Sequence, residues 1–355
     1  MLIRLVSFSL LLTALLAASD SPAQQRIADA QRALQTGPKS SQVSNDLASA
    51  YLRRARETGD PSYLDKASEA VRRSMELAPA DYEAKKLRVA ILLAKQDFPE
   101  ALKQAEAVHK QVPDDLGGWG LLADANTALG NYEEAEKDVQ WMLDLRPGNV
   151  PAFVKAAGLR DVFGDPEGAL EFYDEALRRT PDTETEERAW LLTQKGRMQL
   201  LNGNPKRAGE LYEDALKIFP EYHLALASLA ALKAKDKNYT EAASLLDRVP
   251  FKTAANLYAW AEALENSGRT VEAQAAFKQF EAKARTEPEL VAYYAGHRND
   301  PAKALAIAER AYAVRHDIPT LDAYALALNR NGKTAEAKTQ ICRVAAIQGK
   351  TCPAQ

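Results

Sequence analysis

This chain has little of what chemistry needs. Its 355 residues include four histidines and two cysteines. The histidines, His109, His223, His297 and His316, stand far apart, and neither an H-E-x-x-H nor a G-x-S-x-G string occurs. The paired ligands of a zinc hydrolase and the exposed nucleophile of a serine hydrolase are therefore missing. Two GKT strings, at 332–334 and 349–351, lack the glycine five residues upstream that would let a loop wrap a phosphate; Ala327 and Val344 stand there instead. Neither sign of charge is in surplus, with 46 Lys and Arg against 49 Asp and Glu. Without a positive excess to neutralise phosphates, nucleic acid and anionic membrane surfaces are not expected partners. Beyond the amino terminus no run approaches the ~20 apolar residues that a bilayer requires. The expectation is a chain that is not an enzyme, holds no cofactor or metal, and in its mature form does not span a membrane.

The amino terminus is different. A positive start ending at Arg4, an apolar stretch over 5–18 and small residues up to Ala23 have the layout of an export signal. Cleavage after Ala23 is the first choice, because Ser21 and Ala23 occupy the positions that need small side chains, and cleavage after Ser19 is the second. An uncleaved segment anchoring the chain is the alternative. No cysteine near the site indicates lipid attachment. Either way the body is expected in an oxidising compartment, periplasmic or secreted.

What is present is a period. Pro79, Pro113, Pro147 and Pro181 stand 34 residues apart, and Ala67, Ala101, Ala135 and Ala169 keep the same step. Alanine lets helices approach closely and proline ends a helix, so a shared period in both marks a tandem helical repeat. ALKQAEAVHKQVP, AEKDVQWMLDLRP and ALEFYDEALRRTP are each one amphipathic helix closed by proline. The pattern continues at Ala208, Ala242, Ala273, Ala304 and Ala337, with steps of 39, 34, 31, 31 and 33. That gives about nine units. Asp165, Asn204 and Asp300 each precede a proline where a second helix should start, as N-caps do. GDPSYLD (59–65) and DTETEER (182–188) are expected to be loop insertions, and the segment 289–297 is a short first helix without a glycine turn.

The unit resembles the tetratricopeptide repeat, whose 34-residue helix–turn–helix carries an aromatic and a leucine on its first helix, then tyrosine, alanine and proline. Trp119, Leu122, Gly130, Tyr132, Ala135 and Pro147 match, as do Phe153, Ala157, Gly164, Ala169, Tyr173, Ala176 and Pro181. The resemblance implies an all-α right-handed superhelical solenoid. The organisation is then a signal peptide over 1–23, a capping segment over 24–42, the array over 43–345 and a tail over 346–355. It also implies a concave face, lined by first helices, that binds protein segments.

Projected onto that face, the candidate groove residues are Leu93, Gly120, Val154, Gly158, Trp190, Leu200, Leu201 and Ala227. They form a small, apolar lining, unless they pack between neighbouring repeats. Trp119 and Trp260 lie on packing faces. Cys342 and Cys352 are expected to form a disulfide that clamps the tail, with Gly349 stopping the last helix in a left-handed turn. Two thiols without nearby histidines do not complete a tetrahedral metal set. The function expected is a non-catalytic scaffold in the cell envelope that binds one or more envelope or secreted proteins. The alternative is an accessory or regulatory subunit of an envelope enzyme or of an exopolysaccharide or secretion complex.

Overall fold

A computed structural model describes residues 21–37, 39–285 and 288–353. The export signal read over 1–23 lies outside these residues except for its last three. Helix α1 (Pro22–Thr36) leads nine helix–turn–helix pairs among the described residues. The first three pair α2 (Ser41–Thr58) with α3 (Ser62–Leu77), α4 (Tyr82–Ala94) with α5 (Phe98–Gln111), and α6 (Leu116–Leu129) with α7 (Tyr132–Leu145). Next come α8 (Val150–Val162) with α9 (Pro166–Arg179), α10 (Thr185–Leu201) with α11 (Pro205–Ile218), and α12 (His223–Lys235) with α13 (Tyr239–Asp247). The last three are α14 (Ala254–Asn266) with α15 (Thr270–Lys283), α16 (Pro288–Ala292) and a π-helical turn (Tyr293–His297) with α17 (Pro301–Tyr312), and α18 (Ile318–Arg330) with α19 (Thr334–Ile347). No strand occurs among the described residues.

The period has a packing cause. The nine alanines that define it, from Ala67 to Ala337, are all buried, at 0–1% exposure. A methyl is what the helix crossing accommodates there. Pro79, Pro113, Pro147 and Pro181 each follow the end of a second helix.

The turn inside a unit also has one cause. Gly130, Gly164, Gly203, Gly268 and Gly332 end first helices with φ between 72° and 86°. In each, the next residue's N–H donates to a carbonyl five residues back, as from Asn131 to Asn126 at 2.9 Å and from Lys333 to Leu328 at 3.0 Å. Gln96 (φ 62°), Lys237 (φ 60°) and Asn299 (φ 50°) take the same left-handed conformation without being glycine. Asn tolerates that region, whereas Gln and Lys carry a side-chain penalty of ~1–2 kcal/mol there. Gln96→Gly with Lys237→Gly is therefore expected to raise stability, by about 1 kcal/mol per site after glycine's greater unfolded-state entropy is subtracted. A lower midpoint in thermal melts of the double variant would contradict this account of the turn.

Three sequence expectations need correction; one is GDPSYLD, whose last four residues, from Ser62 to Asp65, are the first turn of α3 and not a loop. Asn204 makes no side-chain cap bond; its amide donates to Gln199 Oε1 at 3.0 Å, while Asp165 and Asp300 do cap, accepting from Gly168 N and Lys303 N. DTETEER is not a loop either. Its last four residues are the first turn of α10, a 17-residue helix where most first helices have 13 or 14. Glu186 and Glu187 suit that position, because a helix amino terminus favours negative charge.

The array coils so tightly that successive superhelical turns touch. His316 N–H donates to Leu129 O at 2.9 Å, and Ile318 N–H donates to Tyr132 Oη at 3.0 Å. The turn of the Ala135 unit thus meets the loop between the Ala304 and Ala337 units, five units on. Gly164 lies against Gln348 in the same relation. Ser21 caps α1 and ties it to α2, with its hydroxyl donating to Glu57 Oε2 at 2.6 Å. At the other end Cys342 and Cys352 are bonded, with Cα atoms 4.7 Å apart. Gly349 is left-handed at φ 62°, and Lys350 N–H returns to Ala345 O at 2.8 Å. The disulfide holds the exposed tail, 351–353, to the end of α19.

Candidate partner-binding groove

First helices approach first helices along the array, α2 with α4, α4 with α6, α6 with α8, α10 with α12 and α12 with α14. They therefore form the inner face. Between α8 and α10 the link is an ion pair, Arg197 of α10 with Asp161 of α8.

The inner face is not the uniformly small, apolar lining read from the sequence. It carries ion pairs between neighbouring first helices or their caps. Lys86 reaches Asp115 at 3.4 Å, Lys155 reaches Asp124 at 2.6 Å, and Arg197 holds Asp161. Most of the candidate groove residues also make packing contacts, and all but Gly120 and Leu201 are partly buried. Gly120 is buried, and a Cβ there would lie 3.0 Å from Lys155 Cε, because that lysine lies over it on its way to Asp124. Leu93 packs with Val89, Val108 and Leu122. Val154 packs beside Ala157 and Tyr173. Trp190 sits edge-on to Tyr173 at 5.9 Å and belongs to the core on both sides of α10. Leu200 and Ala227 rest on the large carboxyl-terminal core.

Gly158 and Leu201 remain open. Nothing lies within 4 Å of a Cβ placed at Gly158, and Leu201 is 57% exposed. Gly158 is three residues before Asp161 on α8, and Leu201 is four after Arg197 on α10, so both share the faces that carry the bridge. The result is an apolar knob and an unfilled step flanking an ion pair, at the joint between α8 and α10.

Sequence reasoning missed a second inner-face group. The π-helical turn places His297 flat beside Tyr293 at 5.2 Å and beside Phe277 at 4.2 Å, with His297 Nδ1 3.8 Å from Glu265. Burial raises the Glu262 carboxyl above its usual value, against the opposing hydrogen bond from Tyr258 and the pull of His297. The absence of a glycine turn at 289–297 was the available signal. Trp141, stacked on Trp119 at 5.2 Å, is 43% exposed.

Models of the tetratricopeptide repeat match residues 87–150, 121–184 and 199–264. Among solved structures, the chain is similar to the APC/C hetero-tetramer Cut9–Hcn1, with 14% identity, 84% of this chain and 55% of that one covered, and a TM-score of 0.57. It is also similar to a human IFIT1 dimer with PPP-AAAA, with 16% identity, 91% and 78% covered, and a TM-score of 0.57. At such identities the likeness is one of fold, and the chain spans little more than half of the first of these proteins. No curated protein sequence matches significantly. Repeats of this type are generally non-catalytic and serve protein interaction, and among the described residues no helix is long and apolar enough to cross a membrane. The matched repeats and the nine buried alanine crossings lead to one conclusion: the chain is a tetratricopeptide repeat protein.

Proposed function

We propose that this protein is a non-catalytic scaffold of the cell envelope that holds a segment of a partner protein on its inner face, at the joint between α8 and α10. The observation that carries the reading is Leu201, a large apolar side chain left 57% exposed on an inner-face helix, beside the unfilled space at Gly158. An extended or helical segment could place an apolar side chain there. The Cys342–Cys352 bond supports an oxidising compartment. The Ser21 cap supports processing after Ser19, because a cut after Ala23 would remove both the cap and the bond to Glu57.

The test is site-specific photocrosslinking in the native cell. A crosslinking residue at Gly158 or Leu201 is expected to capture the same partner, and one at Val271, which is 81% exposed on the second helix α15, should not. Leu201→Glu should abolish capture from Gly158, since burying a carboxylate in an apolar contact is costly. Equal capture from all three positions would move the binding face elsewhere. Recovery of the chain in the cytoplasmic fraction with both thiols free would refute the envelope location.

A further inference from the structure

The two stretches that break the repeat rhythm, GDPSYLD and DTETEER, meet at one junction, through Gly59 of the first and Glu184 and Glu186 of the second. The first follows α2, an 18-residue helix, and the second begins α10. These long first helices meet across successive superhelical turns. Arg56 approaches Glu186 at 3.3 Å, Arg53 approaches Glu184 at 2.6 Å, and Arg26 of α1 lies 3.7 Å from the same Glu184. His223, at the start of α12, lies between them. Its Nε2 is 2.9 Å from the carbonyl oxygen of Arg56, which can only accept, so the neutral ring carries its proton on Nε2. The other nitrogen, Nδ1, is buried without a partner and faces Gly59, where a Cβ would stand 3.0 Å away. Glu57, Glu186 and His223 are buried at 1%, 2% and 8% exposure, while Arg56 reaches them from the solvent side.

We propose that the junction is an acid-sensitive latch on the groove: protonation of His223 releases α2 from α10 and α12 and lets the superhelix open. This rests on the inner face being the binding surface. A proton on Nδ1 would be a buried donor with no acceptor, at the cost such groups carry. None of the groups around His223 is hydrogen-bonded to that nitrogen. From α2 come Arg53, Arg56 and Glu57, whose Oε2 is taken by Ser21 and Arg54 while its buried Oε1 makes no hydrogen bond. From α10 and its cap come Glu184, Glu186 and Glu187, the first two held by arginines. Before α12 stand Tyr222 and Glu221, the latter 3.8 Å from Arg248. Burial holds the imidazole below its ordinary 6.5, against the carbonyl hydrogen bond. Because the closed-state value is the lower one, closure is fully favoured above pH 6.5 and is lost as pH falls from 6.5 through the closed-state value. Between the two values the opening constant grows up to tenfold for each pH unit.

The test needs no partner, so its outcome is separable from that of the groove reading. Small-angle scattering of the purified chain between pH 7.5 and 5.5 is expected to show an increase in radius of gyration and maximum dimension, with amide protection falling at 56–59 and at the start of α12. His223→Gln keeps a neutral donor able to reach the Arg56 carbonyl and should stay closed across that range. An unchanged wild-type profile and unchanged protection would overturn the latch without recourse to any variant. The same acid expansion in His223→Gln would overturn the assignment to His223.

Discussion

Gly196→Ala is expected to lower stability by ~1–3 kcal/mol, whereas Gly158→Ala raises it by ~0.5–1 kcal/mol, although both add one methyl to the interior of a first helix. At Gly196 a Cβ would stand 2.4 Å from Tyr212 Cε1 and 2.7 Å from Cδ1. Tyr212 is 1% exposed and packs among Ala208, Leu226 and Leu229, so its ring cannot swing aside and α10 must move off α11. The overpacking outweighs the gain in helix propensity. At Gly158 nothing lies within 4 Å, and only that gain remains. Urea midpoints of the two variants measure the contrast. If both move in the same direction, the close α10–α11 crossing is not what holds that unit together.

Gly130→Ala should cost more than Gly332→Ala by ~1–3 kcal/mol, the range for an overpacked contact. Both glycines are left-handed, with φ of 86° and 75°, so both variants carry the ~1–2 kcal/mol backbone penalty. The difference lies in what the methyl meets. At Gly332 it meets nothing, while at Gly130 it would be 2.6 Å from His316 C, 2.7 Å from His316 O and 2.8 Å from Asp317 N. These are backbone atoms of the next superhelical turn, and they cannot rotate out of the way. Amide exchange at His316 and Ile318, whose N–H groups reach Leu129 O and Tyr132 Oη, should accelerate in Gly130→Ala alone. Equal losses and equal exchange in the two variants would mean that the touching turns contribute nothing to stability.

The sequence revealed the features that repeat. A buried alanine and a helix-ending proline each act within one unit, so their period discloses nine helix pairs, and Gly130 or Gly164 marks its own turn. It did not reveal left-handed Gln96 and Lys237, because there the neighbouring helices impose a conformation that the residue itself disfavours. The inner face was legible only in part. Small residues such as Gly120 looked like open lining, yet Lys155, one unit on, lies across it to reach Asp124. Which side chain covers which depends on the stagger between successive first helices, and no single unit encodes that. The junction of Arg56, Glu186 and His223 was still less visible, since it joins residues 130 and 167 positions apart through the pitch of the whole coil. Its one local trace was the pair of stretches that broke the rhythm.

The ties at Arg56, Gly130 and Gly164 also restrict how this gene can change. Repeat arrays commonly gain or lose members by duplication or deletion, because each unit depends on its neighbours alone. Here the Ala135 unit must also find the loop between the Ala304 and Ala337 units, and the turn at Gly164 must find Gln348. Inserting or deleting one unit between two such partners would bring an unrelated edge opposite each tie that it interrupts. The number of repeats between tied partners is therefore set by the geometry of the coil, a constraint that an array touching only its nearest neighbours does not have.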